Sequence, residues 1–247
     1  MVDLLQSPRL RAAGFVHGFT LRTGGISAGP FATANFGRGV GDRTAAVEEN
    51  HRRLAATLGY ECLFEVHQVH GRRLRVARPH EDPAEVRQEE ADGLVATHPG
   101  LAVGVRVADC VPVLLADPDT GAVAAVHAGW RGVEARIVPA AVERLGGGPR
   151  LLAAIGPHIR QAHFEVGREV AERLVAVAHG EDVVACHGGK PHVSLARIVR
   201  AQLRAAGVDD ERVDDVGGGT FADPVRFFSY RRDGGRTGRH LAVVVSR

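Results

Sequence analysis

The sequence predicts an α/β fold, a single layered domain over residues 1–247 in which helices flank a mixed central sheet. Consecutive short apolar runs between residues 92 and 128 are typical of buried strands, and the longer helical segments after residue 133 are typical of helices that cover a sheet. The composition, with 45% apolar and 24% charged residues, is that of a globular protein. No fixed-period repeat and no long linker divides the chain.

The first third of the chain contains one helix and several strands. Thr44–Leu58 has apolar residues at helical spacing and is followed by Gly59, so we predict an amphipathic helix that stops there. Short apolar runs predict strands at Phe15–Leu21, Leu63–Val69 and Arg73–Ala77. The acidic, polar stretch from residue 79 to 90 predicts an exposed excursion.

The remaining elements follow from similar patterns. Leu101–Val107 and Val123–Val126 are apolar at successive positions, which predicts strands that are covered on both faces. Ser194 is a suitable N-cap for one of the later helices. We predict helices at Val133–Leu145, Arg168–Ala178 and Ser194–Ala206, and strands at Leu151–Ile155, Val183–Ala185, Arg212–Val216 and Leu241–Val245.

Charge and cysteine usage narrow the class of protein. A formal net charge of +2 gives no broad basic field, so we expect no nucleic-acid partner. The N-terminal residues include an early acid and no long apolar run, which predicts no signal peptide, no membrane contact and a cytoplasmic location. The three cysteines, Cys62, Cys110 and Cys186, are too few and too irregularly spaced for a disulfide scaffold. The sequence does not indicate the oligomeric state.

A predicted hairpin carries the strongest functional signal. If residues 117–120 form its loop, Ala116 faces Gly121, and Cys110 then lies directly opposite His127. The Cβ atoms of such cross-strand partners are about 5 Å apart. At this separation a thiol and an imidazole can share a metal ion or exchange a proton.

A second histidine completes the candidate site. Alternation along the strand before Gly71 places His67 and His70 on opposite faces, and His70 is the better candidate because it lies at the strand end. Two imidazoles and a thiolate suit Zn²⁺ and leave one coordination position open. The alternative is a buried structural thiol with two unrelated histidines.

Neighbouring residues suggest further roles. Asp109 could orient a ligand histidine, or it could cap backbone amides at a strand bend. Residues 129–133 begin a helix after His127, so we predict an anion site there, with Arg131 adding positive charge and Trp130 packing in the core. Arg22 stands at the mouth of a polar, glycine-rich loop over residues 23–41 and is a candidate substrate contact, although such loops most often only turn the chain.

The C-terminal segment Tyr230-Arg231-Arg232 could line a pocket or lie on the surface. We favour a surface location, because no partner residue for the segment is evident from the sequence. This assignment keeps these three residues out of the predicted site.

Several segments, taken in order, resemble the YfiH or laccase-domain family. They include Phe15-Val-His-Gly-Phe-Thr-Leu-Arg, Gln68-Val-His-Gly, Ala91-Asp-Gly-Leu, Ala108-Asp-Cys-Val-Pro, Ala124-Ala-Val-His-Ala-Gly-Trp-Arg-Gly and Phe227-Phe-Ser-Tyr-Arg-Arg-Asp-Gly. The resemblance implies a layered α/β domain with zinc ligands at His70, Cys110 and His127. It also implies phosphorolysis of adenosine, inosine and methylthioadenosine, with adenosine deaminase activity. Gly219, His158 and His163 depart from the family pattern, where relatives often carry cysteine.

The chemistry implied by this resemblance assigns roles to individual residues. Cys110 and Asp109 are the predicted catalytic residues, Arg131 is the predicted phosphate ligand, and Asn35 and Gln68 are predicted to recognise the base or sugar because their amides donate and accept hydrogen bonds. The expected partners are therefore small molecules, a purine nucleoside and phosphate.

Several other functions remain open. A branch of the family, the peptidoglycan editing factor PgeF, implies hydrolysis of a misincorporated amino acid from a cell-wall precursor. A copper polyphenol oxidase is disfavoured, because none of the thirteen histidines forms a His-x-His pair and Met1 is the one methionine. A metal-free cysteine hydrolase with His127 as base, or a binding protein with a closed structural zinc site, are further alternatives.

Overall fold

In this computed structural model, two mixed β-sheets lie face to face, and helices cover their outer sides. The structure describes residues 1–247. The predicted α/β class with mixed sheets and flanking helices is confirmed. Eleven of the thirteen strands divide between these two sheets, whereas we expected one central sheet. None of the helices combines the length and apolar character needed to cross a lipid bilayer.

The secondary structure comprises thirteen strands and seven helices. In chain order, β1 to β13 are Leu4–Leu5, His17–Thr20, Leu63–Phe64, Leu74–Ala77, Gly93–Ala96, Ala102–Val107, Val111–Ala116, Val123–Ala128, Leu152–Ile155, Val184–His187, Lys190–Val193, Val213–Asp215 and His240–Val245. Helices α1 to α7 are Pro8–Ala12, Thr44–Leu58, Pro83–Val86, Trp130–Glu134, Ile137–Arg144, Arg168–Val175 and Leu195–Ala205. Single 3₁₀ turns occur at Gly29–Phe31, Gln161–His163 and Asp210–Arg212.

The strand order places the last strand in the middle of a sheet. The five-stranded sheet runs β1-β2-β13-β6-β3, so β13 pairs with β2 on one side and with β6 on the other, antiparallel to both. The six-stranded sheet runs β12-β9-β7-β8-β5-β4, with antiparallel pairing at its centre and a parallel pair at each edge. Strands β10 and β11 form a separate ribbon.

Three apolar clusters hold these layers together. Along β8, Val123 and Ala125 face the cluster between the two sheets, whereas Ala124 and Val126 face the cluster between the six-stranded sheet and helices α4 to α7. A smaller cluster, which includes Leu54 of α2, covers the outside of the five-stranded sheet. The prediction that β6 and β8 are covered on both faces is therefore confirmed.

Most predicted elements are present with shifted ends. The helix Thr44–Leu58 has the predicted bounds, and Ser194 caps α7 by accepting a hydrogen bond from the Arg197 backbone N–H. The helix predicted at Val133–Leu145 is instead two helices, α4 and α5, because Arg136 between them adopts a left-handed conformation with φ of 63°. The predicted strand Leu63–Val69 is limited to β3.

The predicted hairpin register is wrong by two residues. Ala116 pairs with Val123 instead of Gly121, and His127 faces Pro112 instead of Cys110. The reason is a six-residue loop, residues 117–122, closed by hydrogen bonds from the Asp117 N–H to the Ala122 carbonyl and from the Gly121 N–H to the Asp117 carbonyl. A shift of two residues preserves the face to which each side chain points. Cys110 therefore lies just before β7 and still meets His127.

Candidate metal centre and cavity

Two imidazoles and one thiol meet at the open end of the β7–β8 hairpin. His70 lies in the loop between β3 and β4, Cys110 directly precedes β7, and His127 belongs to β8. One potential ligand atom from each lies within 4.8 Å of the other two, and Cys110 Sγ is 4.0 Å from His70 Nε2. A tetrahedral zinc ion would hold a sulfur and a nitrogen ligand about 3.6 Å apart. Small side-chain movements would therefore bring all three around one ion.

The Asp92 carboxylate holds His127 and the His70 backbone in position through hydrogen bonds. Its carboxylate is fully buried, and Oδ1 accepts hydrogen bonds from His127 Nδ1 and from the His70 backbone N–H, both at 2.8 Å. Oδ2 accepts from the backbone N–H groups of Gly71 at 2.6 Å and Val69 at 3.2 Å. Because Nδ1 of His127 is committed to Asp92, Nε2 is the atom available to a metal.

The proton distribution at the centre favours a thiolate. Burial raises the pKa of the Cys110 thiol, but the neighbouring His127 and His70 outweigh it and lower this pKa to about 6. Burial lowers the pKa of His127, but Cys110 and the Asp92 carboxylate outweigh it and raise this pKa to about 9. A thiolate is the form of cysteine that binds metals and attacks electrophiles.

Gly129 has no side chain, and this leaves room for the side chains of His70 and Cys110. A Cβ atom at this position would lie 3.0 Å from His70 Cδ2 and 3.2 Å from Cys110 Sγ. Its backbone, with φ of −71° and ψ of 165°, is open to any residue, so the requirement for glycine is steric. Gly129 is also the N-cap of α4 and directly follows β8.

A cavity of about 540 Å³ opens over the three potential ligands. This volume lies within the usual range for small-molecule sites. Its wall includes two aromatic side chains, Phe164 and Tyr230, and four arginines, Arg38, Arg106, Arg231 and Arg239. The cavity therefore combines a potential metal centre with surfaces for ring stacking and with positive charge.

Two of the predicted substrate contacts, Gln68 and Asn35, lie close to the cavity, and both side chains form hydrogen bonds within the protein. Gln68 lines the cavity, and its amide donates to the carbonyl of Arg106 and accepts from the Arg106 N–H. Asn35 is fully buried behind the wall, where its Oδ1 accepts hydrogen bonds from the backbone N–H groups of Gly37 and Arg239. Asn35 thus holds two wall segments in place and does not reach into the cavity.

The other two predicted contacts lie away from the cavity. Arg22 donates to the carbonyls of Ala32 and Pro224 and lies over the ring of Phe228, so it stabilises the neighbouring loop and does not line the cavity. Arg131 is exposed and stacks on Trp130 with its guanidinium carbon 4.3 Å from the ring centre. The structure does not bring Arg131 to the cavity, because α4 points this side chain outward. Trp130 packs against the helical core cluster, as predicted.

Asp109 lines the cavity but does not contact a ligand histidine. Its Oδ1 accepts a hydrogen bond from the Thr220 hydroxyl at 2.6 Å, and its Oδ2 accepts from the Arg231 backbone N–H at 2.7 Å. The orienting role expected of Asp109 is performed by Asp92. The alternative that Asp109 caps backbone amides describes its observed contacts better.

The surface assignment of the Tyr230 segment needs correction. Tyr230 and Arg231 are exposed, yet both line the cavity, because the backbone hydrogen bond to Asp109 draws this loop over Cys110. Arg232 behaves differently. It donates to the carbonyls of Thr220 and Phe227 and stabilises the loop from behind.

Several residues at the site, among them Asp92, Arg106 and Arg239, were not predicted from the sequence. Asp92 carries a signal in retrospect, because it is a carboxylate immediately before the buried apolar strand β5. Arg106 and Arg239 carry none, because one arginine in an apolar strand and one in a loop are not distinctive among the many arginines of this chain.

Comparison with known proteins identifies the family. Residues 16–247 match the model of the family described as multi-copper polyphenol oxidoreductase laccase. The chain belongs to this laccase family. The match covers the metal centre, the cavity wall and all strands from β2 to β13.

Relatives within the laccase family carry a different name. A protein of Deinococcus radiodurans named purine nucleoside phosphorylase is 41% identical over 249 residues, which cover 98% of this chain and 92% of the relative. A Pseudomonas aeruginosa protein of the same name is 42% identical, with 91% and 90% covered. A Mycobacterium tuberculosis purine nucleoside phosphorylase is 40% identical, with 91% and 89% covered.

Solved structures share the complete fold. YlmD from Geobacillus stearothermophilus superposes with a TM-score of 0.89 at 31% identity, covering 99% of both chains. The Bacillus licheniformis protein YfiH has a TM-score of 0.88 at 28% identity, covering 94% of this chain and 92% of its own. The predicted resemblance to YfiH-type proteins is therefore confirmed.

Proposed function

We propose that this laccase-family chain is a zinc-dependent purine nucleoside phosphorylase. It would transfer the ribosyl group of inosine or adenosine, or the methylthioribosyl group of methylthioadenosine, to phosphate and release the purine base. The names of the relatives support this activity. The observation that carries it is the cluster of His70, Cys110 and His127 exposed to a cavity of nucleoside size.

The donor set favours zinc over copper. Two imidazoles and one thiolate are usual zinc ligands, and three protein ligands with one open position are typical of a catalytic zinc site. A mononuclear copper site built on two histidines and a cysteine usually has an axial methionine. Met1, the one methionine here, is 91% exposed and does not line the cavity. No second cluster of three such ligands is present for a larger copper centre.

The chain's own residues would bind and orient the substrates. Phe164 and Tyr230 offer ring faces for a purine, and the arginines of the wall offer positive charge for phosphate. Asp92 keeps His127 in one orientation, and Asp109 keeps the loop of Arg231 over the centre. A bound zinc ion would supply Lewis acid chemistry at its open position. Positioning and charge stabilisation are the effects that phosphorolysis needs most.

Deamination of adenosine is a second candidate for the same site. It requires a nucleophilic water, which an open metal position can activate, so the same three ligands would serve both reactions. Both reactions would take place in one cavity, and an adenosine assay that measures inosine and adenine separately distinguishes them.

The test combines metal analysis with product identification. Protein purified without added metal is analysed for zinc and copper, and inosine is supplied with and without phosphate while hypoxanthine and ribose 1-phosphate are measured. We expect about one zinc per chain and hypoxanthine release only with phosphate. Hypoxanthine release that is independent of phosphate, or no release from any purine nucleoside, would overturn the proposal. Release of an amino acid from a cell-wall precursor would then favour the editing function.

Matched cysteine variants separate the metal centre from general thiol effects. Cys110→Ala should lose bound zinc and at least about 100-fold in activity, because a three-ligand site loses its thiolate. Cys186→Ala removes an exposed thiol on β10 and should change neither quantity. Full activity of Cys110→Ala without zinc would contradict metal dependence, and activity of the wild type after zinc removal would favour a cysteine hydrolase.

A further inference from the structure

The four arginines of the cavity differ in how their charge is balanced. Glu65 is buried behind the wall and pairs with both Arg38 and Arg106, and Arg38 also binds Glu48 with its Nε 2.8 Å from Oε1. These two arginines are therefore neutralised by the protein. Arg231 and Arg239 form no ion pair with any carboxylate.

Arg239 is held in a fixed orientation although its charge is unpaired. Its Nη1 donates to the carbonyls of Thr237 at 2.8 Å and Gly238 at 3.0 Å, and its backbone N–H donates to Asn35 Oδ1 at 2.9 Å. The guanidinium carbon lies 5.4 Å from the ring centre of Tyr230. These contacts use one edge of the guanidinium and leave Nε and Nη2 without a protein acceptor.

The unused edge of Arg239 has the geometry for a tetrahedral oxyanion. Nε–H and Nη2–H are parallel donors that match two oxygens of a phosphate, and such charge-assisted pairs are stronger than neutral hydrogen bonds. A half-buried cation without a counter-ion is costly, so an anionic ligand would recover the lost solvation. Arg239 lines the same cavity as His70, Cys110 and His127, so an anion bound to Arg239 would share this cavity with the potential metal ligands.

Arg231 provides a second unpaired cation in the same cavity. Its Nη1 donates to the Glu165 carbonyl at 3.0 Å, and its guanidinium lies over Phe164 with the carbon 5.5 Å from the ring centre. Because Arg231 is exposed, its charge attracts anions toward the opening, whereas Arg239 is placed to bind them inside.

We propose that Arg239 is the principal residue of an oxyanion subsite that takes inorganic phosphate, with Arg231 assisting at the opening. This inference rests on the proposed phosphorolysis and names the residue that binds its second substrate. It replaces the site first expected at Arg131, which lies outside the cavity. A phosphate ester of a nucleotide has the same oxygens, so the experiment includes both sources.

The test measures phosphate binding and phosphate-dependent kinetics in Arg239→Gln, Arg239→Lys and a control. Arg197→Gln is the control, because Arg197 also donates through Nη1 to a carbonyl, that of Asp182, and is exposed on α7. We expect Arg239→Gln to raise the KM and the Kd for phosphate about 10- to 100-fold, with the KM for inosine within about 3-fold of wild type. Arg239→Lys keeps the positive charge but loses the two parallel N–H donors of the guanidinium. We therefore expect a smaller increase in the KM and Kd for phosphate.

Calorimetric titration with inorganic phosphate gives the binding constant independently of turnover. If the wild type binds phosphate but cleaves inosine without it, the proposed function fails while the subsite remains supported. If Arg239→Gln binds phosphate as tightly as Arg197→Gln does, the subsite is wrong whatever the activity. Binding of inosine 5′-monophosphate without binding of inorganic phosphate would also overturn it. Melting temperatures show whether each variant is folded, and Arg239→Lys keeps the test valid if Arg239→Gln is not.

Discussion

Asp92 Oδ1 lies 2.8 Å from His127 Nδ1 and 2.8 Å from the backbone nitrogen of His70, so one oxygen atom orders two of the three potential metal ligands. The two histidines are 57 positions apart in the numbering of the chain, and no local motif connects them. Their common dependence on Asp92 makes this carboxylate the most informative position for mutation.

Asp92→Asn should weaken zinc binding by about 10- to 100-fold, because it removes the charge that orients His127 and supports its basicity. Competition with a zinc chelator measures this affinity. Asp117→Asn is a matched control, because Asp117 is also fully buried and accepts hydrogen bonds from backbone and from Arg150. Equal zinc affinities in the two variants would contradict the role of Asp92.

Gly129→Ala should also weaken zinc binding about 10-fold or more, because the added methyl would crowd His70 and Cys110 and displace them from a common point. Gly167→Ala is the control. Gly167 is likewise a helix N-cap, with φ of −67° and ψ of 155°, but a Cβ there meets nothing within 4 Å. If both variants bind zinc like the wild type, the space at Gly129 is not required by the metal.

His158 should make the protein less stable in acid. Burial, together with the positive charge of Arg160, lowers the pKa of His158 from its ordinary value of 6.5 to about 4. Between these values the unfolded chain binds a proton that the folded chain does not, so the free energy of unfolding falls as the pH falls. One such group contributes at most about 1.4 kcal/mol per pH unit.

His158→Asn removes this contribution and retains a donor for the Gly156 carbonyl, which His158 Nδ1 contacts at 2.8 Å. Urea unfolding at pH 7, 6, 5 and 4.5 should therefore show a shallower loss of stability in the variant than in the wild type. Parallel pH profiles for the two proteins would be inconsistent with a buried neutral His158.

Gly121→Ala should destabilise the fold by about 3 kcal/mol or more. Gly121 has a φ of 75°, and a Cβ there would lie 1.9 Å from the Arg247 carbonyl oxygen. Gly180→Ala has a similar φ of 82° but meets nothing within 4 Å, so it should cost only about 1 kcal/mol from backbone strain. Denaturant unfolding of both variants separates the cost of backbone strain from the cost of steric overlap. Equal decreases in the free energy of unfolding would show that the overlap with Arg247 is unimportant.

The sequence predicted the elements better than their pairing. Apolar runs and caps identified α2, α7 and the buried strands, because these signals are local. The division into two sheets depends on β13 returning between β2 and β6, which no local pattern encodes. The hairpin register was wrong because Asp117 and Ala122 close a longer loop than turn residues alone indicated.

The location of the potential ligands could be predicted from the sequence, although one argument for it does not hold. Residues 65–70 are not a regular strand, so alternation does not distinguish His67 from His70. Instead, His70 turns toward Cys110 because its φ of 61° is held by the hydrogen bond from its N–H to Asp92. The cavity arginines could not be predicted, because Arg106 and Arg239 meet only through the pairing of β6 with β13.

The position of β13 determines when the cavity can form during synthesis. The residues that supply the potential metal ligands are translated first, and Arg239, which precedes β13, emerges after every helix is complete. Until β13 inserts between β2 and β6, no strand connects these two, and the cavity lacks the part of its wall that Arg239 supplies. The three potential metal ligands are therefore present in the growing chain before the cavity wall that contains Arg239 can form.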